Sequence, residues 1–151
     1  MALDDSKIKI GEGTKIWHPE TSNIYGEGYI GSNCNIGTFV EIRAPKIGDR
    51  CKIQAFVFIP EGVFIGNNVF IGPHVCFTND KYPTVREFGK GDWLETHIKD
   101  GANIGANVTI VCGVTIGEGS TIGSGSVVTK DVPPGITVVG NPAKELKKDG
   151  K

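Results

Sequence analysis

The stretch IGDRCKIQAFVFIPEGVFIGNNVFI, residues 47–71, places an isoleucine at every sixth position: Ile47, Ile53, Ile59, Ile65 and Ile71. Outward from it the same spacing gives Ile24, Ile30, Ile36 and Ile42 on one side. On the other it gives Phe77 and, after a gap, Ile98, Ile104, Ile110, Ile116, Ile122 and Val128. With Ile10 and Ile16 the series reaches 18 hexads, and 16 of the chain's 18 isoleucines lie in it. Nine of these isoleucines are followed directly by glycine, which accounts for much of a total of 22 Gly in 151 residues. The fourth residue after the isoleucine is small or β-branched as well, as in Cys34, Val40, Cys51, Val57, Val63, Val69, Val75, Val108, Val114, Ser120 and Ser126. A helix repeats at about 3.6 residues and cannot keep one face inward at six. Short strands joined by tight turns can. Three hexads then close one triangular coil, isoleucines inside, and about six coils stacked at a strand spacing of about 4.8 Å stand roughly 25 to 30 Å tall. The glycine after each isoleucine is expected to free the backbone where it turns.

The rest of the composition narrows the function. One domain spanning residues 1–151 fits the length. With 16 Lys+Arg against 17 Asp+Glu the net charge is −1, which gives no general attraction for nucleic acid or an anionic membrane. No run of about 18 apolar residues spans a bilayer. The acidic start Met1-Ala2-Leu3-Asp4-Asp5 does not read as a signal sequence, so a cytoplasmic location is expected. Cys34, Cys51, Cys76 and Cys112 form no C-x-x-C pair and are expected to be free thiols, mostly buried.

The register is broken in three places. Two breaks, a two-residue insertion near His18-Pro19-Glu20-Thr21-Ser22 and a missing residue near Ala44-Pro45-Lys46, read as corner adjustments. The third is large, because the next in-phase residue after Phe77 is Ile98. A loop over about 78–97, rich in charge and aromatics, is therefore expected to stand out from the prism and cover a site or a neighbouring subunit. The tail Val132-Pro133-Pro134-Gly135 stops the coils. Glu145-Leu146-Lys147-Lys148 is expected to start a short helix.

The Ile-Gly-x-x-small-x pattern over residues 10 to about 132, with Lys130-Asp131-Val132-Pro133 and Gly140-Asn141-Pro142-Ala143-Lys144 after it, resembles the hexapeptide-repeat acyltransferases. That resemblance implies an all-β, left-handed parallel β-helix, a homotrimer with sites between subunits, and acetyl-CoA as acyl donor bound by a tail over about 124–144. By position it implies Ala106 and Ser124 as backbone contacts for the pantetheine. It puts Thr129 and Lys130 at the phosphates, a role the lysine charge suits, and Asn141 and Pro142 beside the adenine.

Within the family, Ile71-Gly72-Pro73-His74-Val75-Cys76-Phe77-Thr78-Asn79-Asp80, Lys52-Ile53-Gln54 and Gly13-Thr14-Lys15-Ile16-Trp17-His18 resemble the nucleotide-sugar 3-N-acetyltransferases. That resemblance implies Asn79 as the residue that holds the acceptor amine, with Gln54 and Asp80 placing the sugar and His74 as an auxiliary base or groove wall. An amine near neutrality needs orientation more than a strong base, whereas a hydroxyl acceptor needs a base such as His74 or His97. O-acetyl transfer is thus the alternative reading. A non-enzymatic or γ-carbonic-anhydrase-like trimer is a third, but His18, His74 and His97 contain no pair at metal-ligand spacing, so no metal is expected.

Overall fold

The computed structural model describes residues 7–85 and 93–147. The loop residues 86–92, the first six residues and the last four lie outside it. The described residues form a parallel β-solenoid with three faces, visited in the order A, B, C by each coil. Face A stacks six strands from Ile8–Ile10 to Thr115–Ile116, and face C stacks six from Asn23–Tyr25 to Val127–Val128. Face B carries seven parallel strands, from Lys15–Ile16 to Thr137–Gly140, and one antiparallel strand, Ala143–Glu145.

The hexad isoleucines sit in register. Ile36, Ile53, Ile71, Ile104 and Ile122 pair rung to rung on face B, and Ile42 and Ile59 precede Phe77 and Ile110 on face C. All of these are essentially inaccessible to solvent. Each such side chain stabilises the fold by about 1.5–3 kcal/mol over exposure. Only the first coil is open: Ile10 is 40% exposed, because none of the described residues lies above it.

The glycines after isoleucine do a different job from the one expected. Their φ angles are not in the left-handed region; that conformation falls two residues later, at Asn33, Phe39, Arg50, Asn68, His74 and Asn107. What excludes a side chain is the next rung. A Cβ on Gly72 would lie 2.7 Å from the Ala106 nitrogen, and one on Gly105 would lie 2.7 Å from the Ser124 nitrogen. These glycines permit close stacking of corners.

Both small register breaks are corner adjustments. Pro19–Thr21 forms a 3-10 turn, and Ala44 takes φ 46 at the face C to face A corner. Among the described residues, which end at Lys147, the helix expected from Glu145 does not begin. Glu145 instead ends strand Ala143–Glu145, which folds back on Thr137–Gly140. The last parallel strand leaves an edge to be paired, and this hairpin covers it. Leu146 then donates its N–H to Thr137 O at 2.8 Å.

Candidate functional site

Because the coil is periodic, each predicted residue falls on a definite edge of the prism. The edge between faces B and C holds Gln54, His74, Ala106 and Ser124 on successive rungs. Along it Phe39 stacks on Phe56 with ring centroids 5.2 Å apart, and Phe56 stacks on His74 at 4.8 Å. This column has a signature in the sequence, since residues 39, 56 and 74 are one coil apart, but it lies at an outward position, away from the isoleucine register. It orients the exposed His74 imidazole against an aromatic face.

Below His74 the edge changes character. Among the described residues, neither the Ala106 nor the Ser124 amide N–H donates to another group of the chain, while Ala106 O accepts the Gly125 N–H at 2.8 Å. Both amide nitrogens lie at the corner beside the glycine of the preceding rung, Ala106 N by Gly72 and Ser124 N by Gly105. The hairpin returns to the same edge: Gly140 N–H donates to Ser126 Oγ at 3.0 Å, which sets the Asn141-Pro142 turn, with its cis peptide bond, beside the last coil.

The edge between faces C and A holds the other predicted residues. Asn79 is half-buried at the neck of the loop. Its Nδ2 donates to Glu61 O at 3.1 Å, and its carbonyl accepts the Leu94 N–H at 3.1 Å. With the amide nitrogen so held, the side-chain oxygen is the group available to an acceptor. Glu61 went unnoticed in the sequence because it gains its role only from stacking one rung from Asn79. Asp80 Oδ1 accepts the Tyr82 N–H at 3.0 Å, which fixes the carboxylate at the start of the loop. Thr129 and Lys130 are exposed past the final strand of face C.

Face C therefore separates the two groups. Asn79, Asp80, Thr129 and Lys130 border one side, and Gln54, His74, Ala106, Ser124, Asn141 and Pro142 the other. The structure brings each group together but does not bring the two groups together within one prism. His97 is elsewhere, on face A, stacked on Phe64 at 4.8 Å with Nε2 at 3.1 Å from Glu95 Oε2. His18 pairs with Glu20 at 3.0 Å. A cleft of about 580 Å³ on face A, lined by Lys99, Thr115, Asp131, Pro133 and others, contains none of the predicted site residues.

The returning arm of the loop is seated on glycine. Gly62 has φ +95, and a Cβ there would lie 2.6 Å from Trp93 Cδ1. Gly62→Ala is expected to destabilise the chain by about 1–2 kcal/mol through backbone strain and displacement of the indole. Tryptophan emission should move to the red with it, which steady-state fluorescence checks.

The comparisons with known proteins point the same way. The family model described as bacterial transferase hexapeptide (six repeats) matches residues 44–79 and 95–130. A Schizosaccharomyces pombe protein assigned by name to the acetyltransferases is 46% identical over 89 residues, 57% of this chain and 43% of that one. The bifunctional protein GlmU of Thermotoga petrophila is 40% identical over 115 residues, 76% of this chain and 24% of that one. The chain thus spans less than half the length of these curated relatives. Among solved structures, a hexapeptide-repeat acetyltransferase from Vibrio cholerae in complex with acetyl coenzyme A is 29% identical with a TM-score of 0.57. That match covers 91% of this chain and 68% of that one.

Proposed function

We propose that the chain, which matches the bacterial transferase hexapeptide family model over residues 44–79 and 95–130, transfers an acetyl group from acetyl-CoA to the amino group of a nucleotide-linked amino sugar, at C3. The reading includes a homotrimer in the cytoplasm. The edge carrying Ala106 and Ser124 on one copy would face the edge carrying Asn79 and Lys130 on the next.

The observation that carries it is the pair of amides with no partner among the described residues, Ala106 and Ser124, one coil apart and beside the Asn141-Pro142 turn. An extended pantetheine arm carries amide groups that such N–H donors bind, and Lys130 supplies a cation for phosphate. Across the groove, Asn79 Oδ1 accepts a hydrogen from the acceptor amine and leaves the nitrogen lone pair facing the thioester. The amine nitrogen attacks the acetyl carbonyl carbon, the C–S bond breaks, and the leaving thiolate takes up the amine proton. A thiol pKa of about 8.5 suits that transfer, so no protein base is compulsory. His74, held against Phe56, remains in reach of the groove as an auxiliary base.

Coenzyme A binding tests the donor half. Isothermal titration should show binding, and Lys130→Glu should weaken it about ten- to a hundredfold, since one charge-assisted phosphate contact is worth about 1.5–3 kcal/mol. Unchanged affinity in that variant would remove Lys130 from the site.

A further inference from the structure

The proposed reaction uses none of the four cysteines, yet two of them are stacked. Cys34 and Cys51 occupy the same inward position on neighbouring rungs, directly before the paired residues Asn35 and Lys52 on face B. Both are fully buried and free. Cys51 N–H donates to Cys34 Sγ at 3.4 Å, so the sulfur of one rung touches the backbone of the next. Each thiol also donates across to a glycine carbonyl of the following rung, Cys34 Sγ to Gly48 O at 3.1 Å and Cys51 Sγ to Gly66 O at 3.0 Å.

These hydrogen bonds do not call for sulfur. One rung above, the Thr14 hydroxyl bridges in the same way, donating to Gly31 O and accepting the Cys34 N–H. A hydroxyl therefore satisfies the position, and what the thiols add is their redox chemistry. The geometry permits it. Parallel neighbours lie about 4.8 Å apart, inside the Cα separation of roughly 4.4–6.8 Å that a disulfide spans.

We propose that Cys34 and Cys51 form an oxidation site in which a hydroperoxide closes an inter-rung disulfide. A thiolate at Cys34 attacks the peroxide oxygen, giving a sulfenic acid and, with hydrogen peroxide, one water. The Cys51 sulfur then attacks the Cys34 sulfur, the S–O bond breaks, and a second water leaves. Two thiols are oxidised and one peroxide is reduced. The pair is electrostatically unequal in the direction this order requires: the Cys51 side chain beside it lowers the Cys34 thiol, while the neighbouring Cys34 sulfur and burial raise Cys51. The other two cysteines lack this arrangement. Cys76 faces outward on face C, and Cys112 donates its backbone N–H to Thr78 Oγ1 at 3.1 Å.

The test treats the full chain with hydrogen peroxide in native buffer and maps the peptides without reduction. A peptide joining Cys34 to Cys51, reversed by dithiothreitol and accompanied by a melting midpoint several degrees higher, is expected, because the bond closes a loop in the unfolded chain. Cys34→Ser and Cys51→Ser should each abolish the linked peptide and still fold, as the Thr14 hydroxyl shows a hydroxyl can serve. The double variant Cys76→Ser, Cys112→Ser should retain it. Absence of the linked peptide from the folded protein, or its formation only after urea has unfolded the chain, overturns the proposal. Linkage through Cys76 or Cys112 does so too.

Discussion

Asn79→Ala is expected to lower kcat/KM for the amino-sugar acceptor by about 10²-fold, because misplacing a reacting group by about 1 Å costs that much. The side chain is fixed from two directions: its nitrogen is bound to Glu61 O, and its backbone carbonyl ties the returning loop through Leu94. Alanine keeps the backbone bond and removes the amide oxygen that would orient the acceptor. Fold stability should fall by only about 1 kcal/mol, the worth of one hydrogen bond. Most of the loss should therefore appear in the rate, with the melting curve nearly unchanged. His74→Gln should cost far less if the departing thiolate takes the proton. Full kcat/KM in Asn79→Ala, measured by thiol release, would show that the amide does not position the acceptor.

The largest stability effect is expected at Phe77. Its ring is fully buried between Ile59 and Ile110 in the inward column of face C, where every neighbouring rung carries a branched aliphatic side chain. Truncation to alanine removes the largest side chain of the column and leaves a cavity that stacked rungs cannot close. The cost is about 3–5 kcal/mol. At about 2–4 °C per kcal/mol for a chain of this size, the melting midpoint should drop by roughly 10 °C. The effect should also reach the loop neck, since Thr78 donates its N–H to Ile110 O and its Oγ1 accepts the Cys112 N–H. Calorimetry at fixed protein concentration checks this, because association shifts the midpoint by mass action. A drop of under about 2 °C would mean that the coil repacks around the gap.

Much of this architecture is legible in the chain because a solenoid converts position in sequence into position on a face. Once Ile47 to Ile71 set the register, Ile104 and Val128 are placed with no further information, and so are the corners bearing Ala106 and Ser124. Legibility fails where contacts leave the period. The glycines after isoleucine look like turn residues, yet their reason is the neighbouring rung, as Gly72 under Ala106 illustrates. Glu145-Leu146 has a helical composition, but pairing with Thr137–Gly140 decides its conformation, and edge pairing outweighs intrinsic propensity. For the candidate site, the sequence nominates Asn79 but not Glu61, whose carbonyl has no signature of its own. That Asn79 and His74 occupy different edges follows from the same period, since the in-phase Phe77 stands between them.

The most direct test of the central claim is thiol release from acetyl-CoA with nucleotide-linked 3-amino and 4-amino sugars, run beside hydroxyl acceptors such as galactosides and serine. Turnover confined to a nucleotide-linked 3-amino sugar is the predicted result. Turnover confined to hydroxyl acceptors, with the rate lost in His74→Gln, would contradict it.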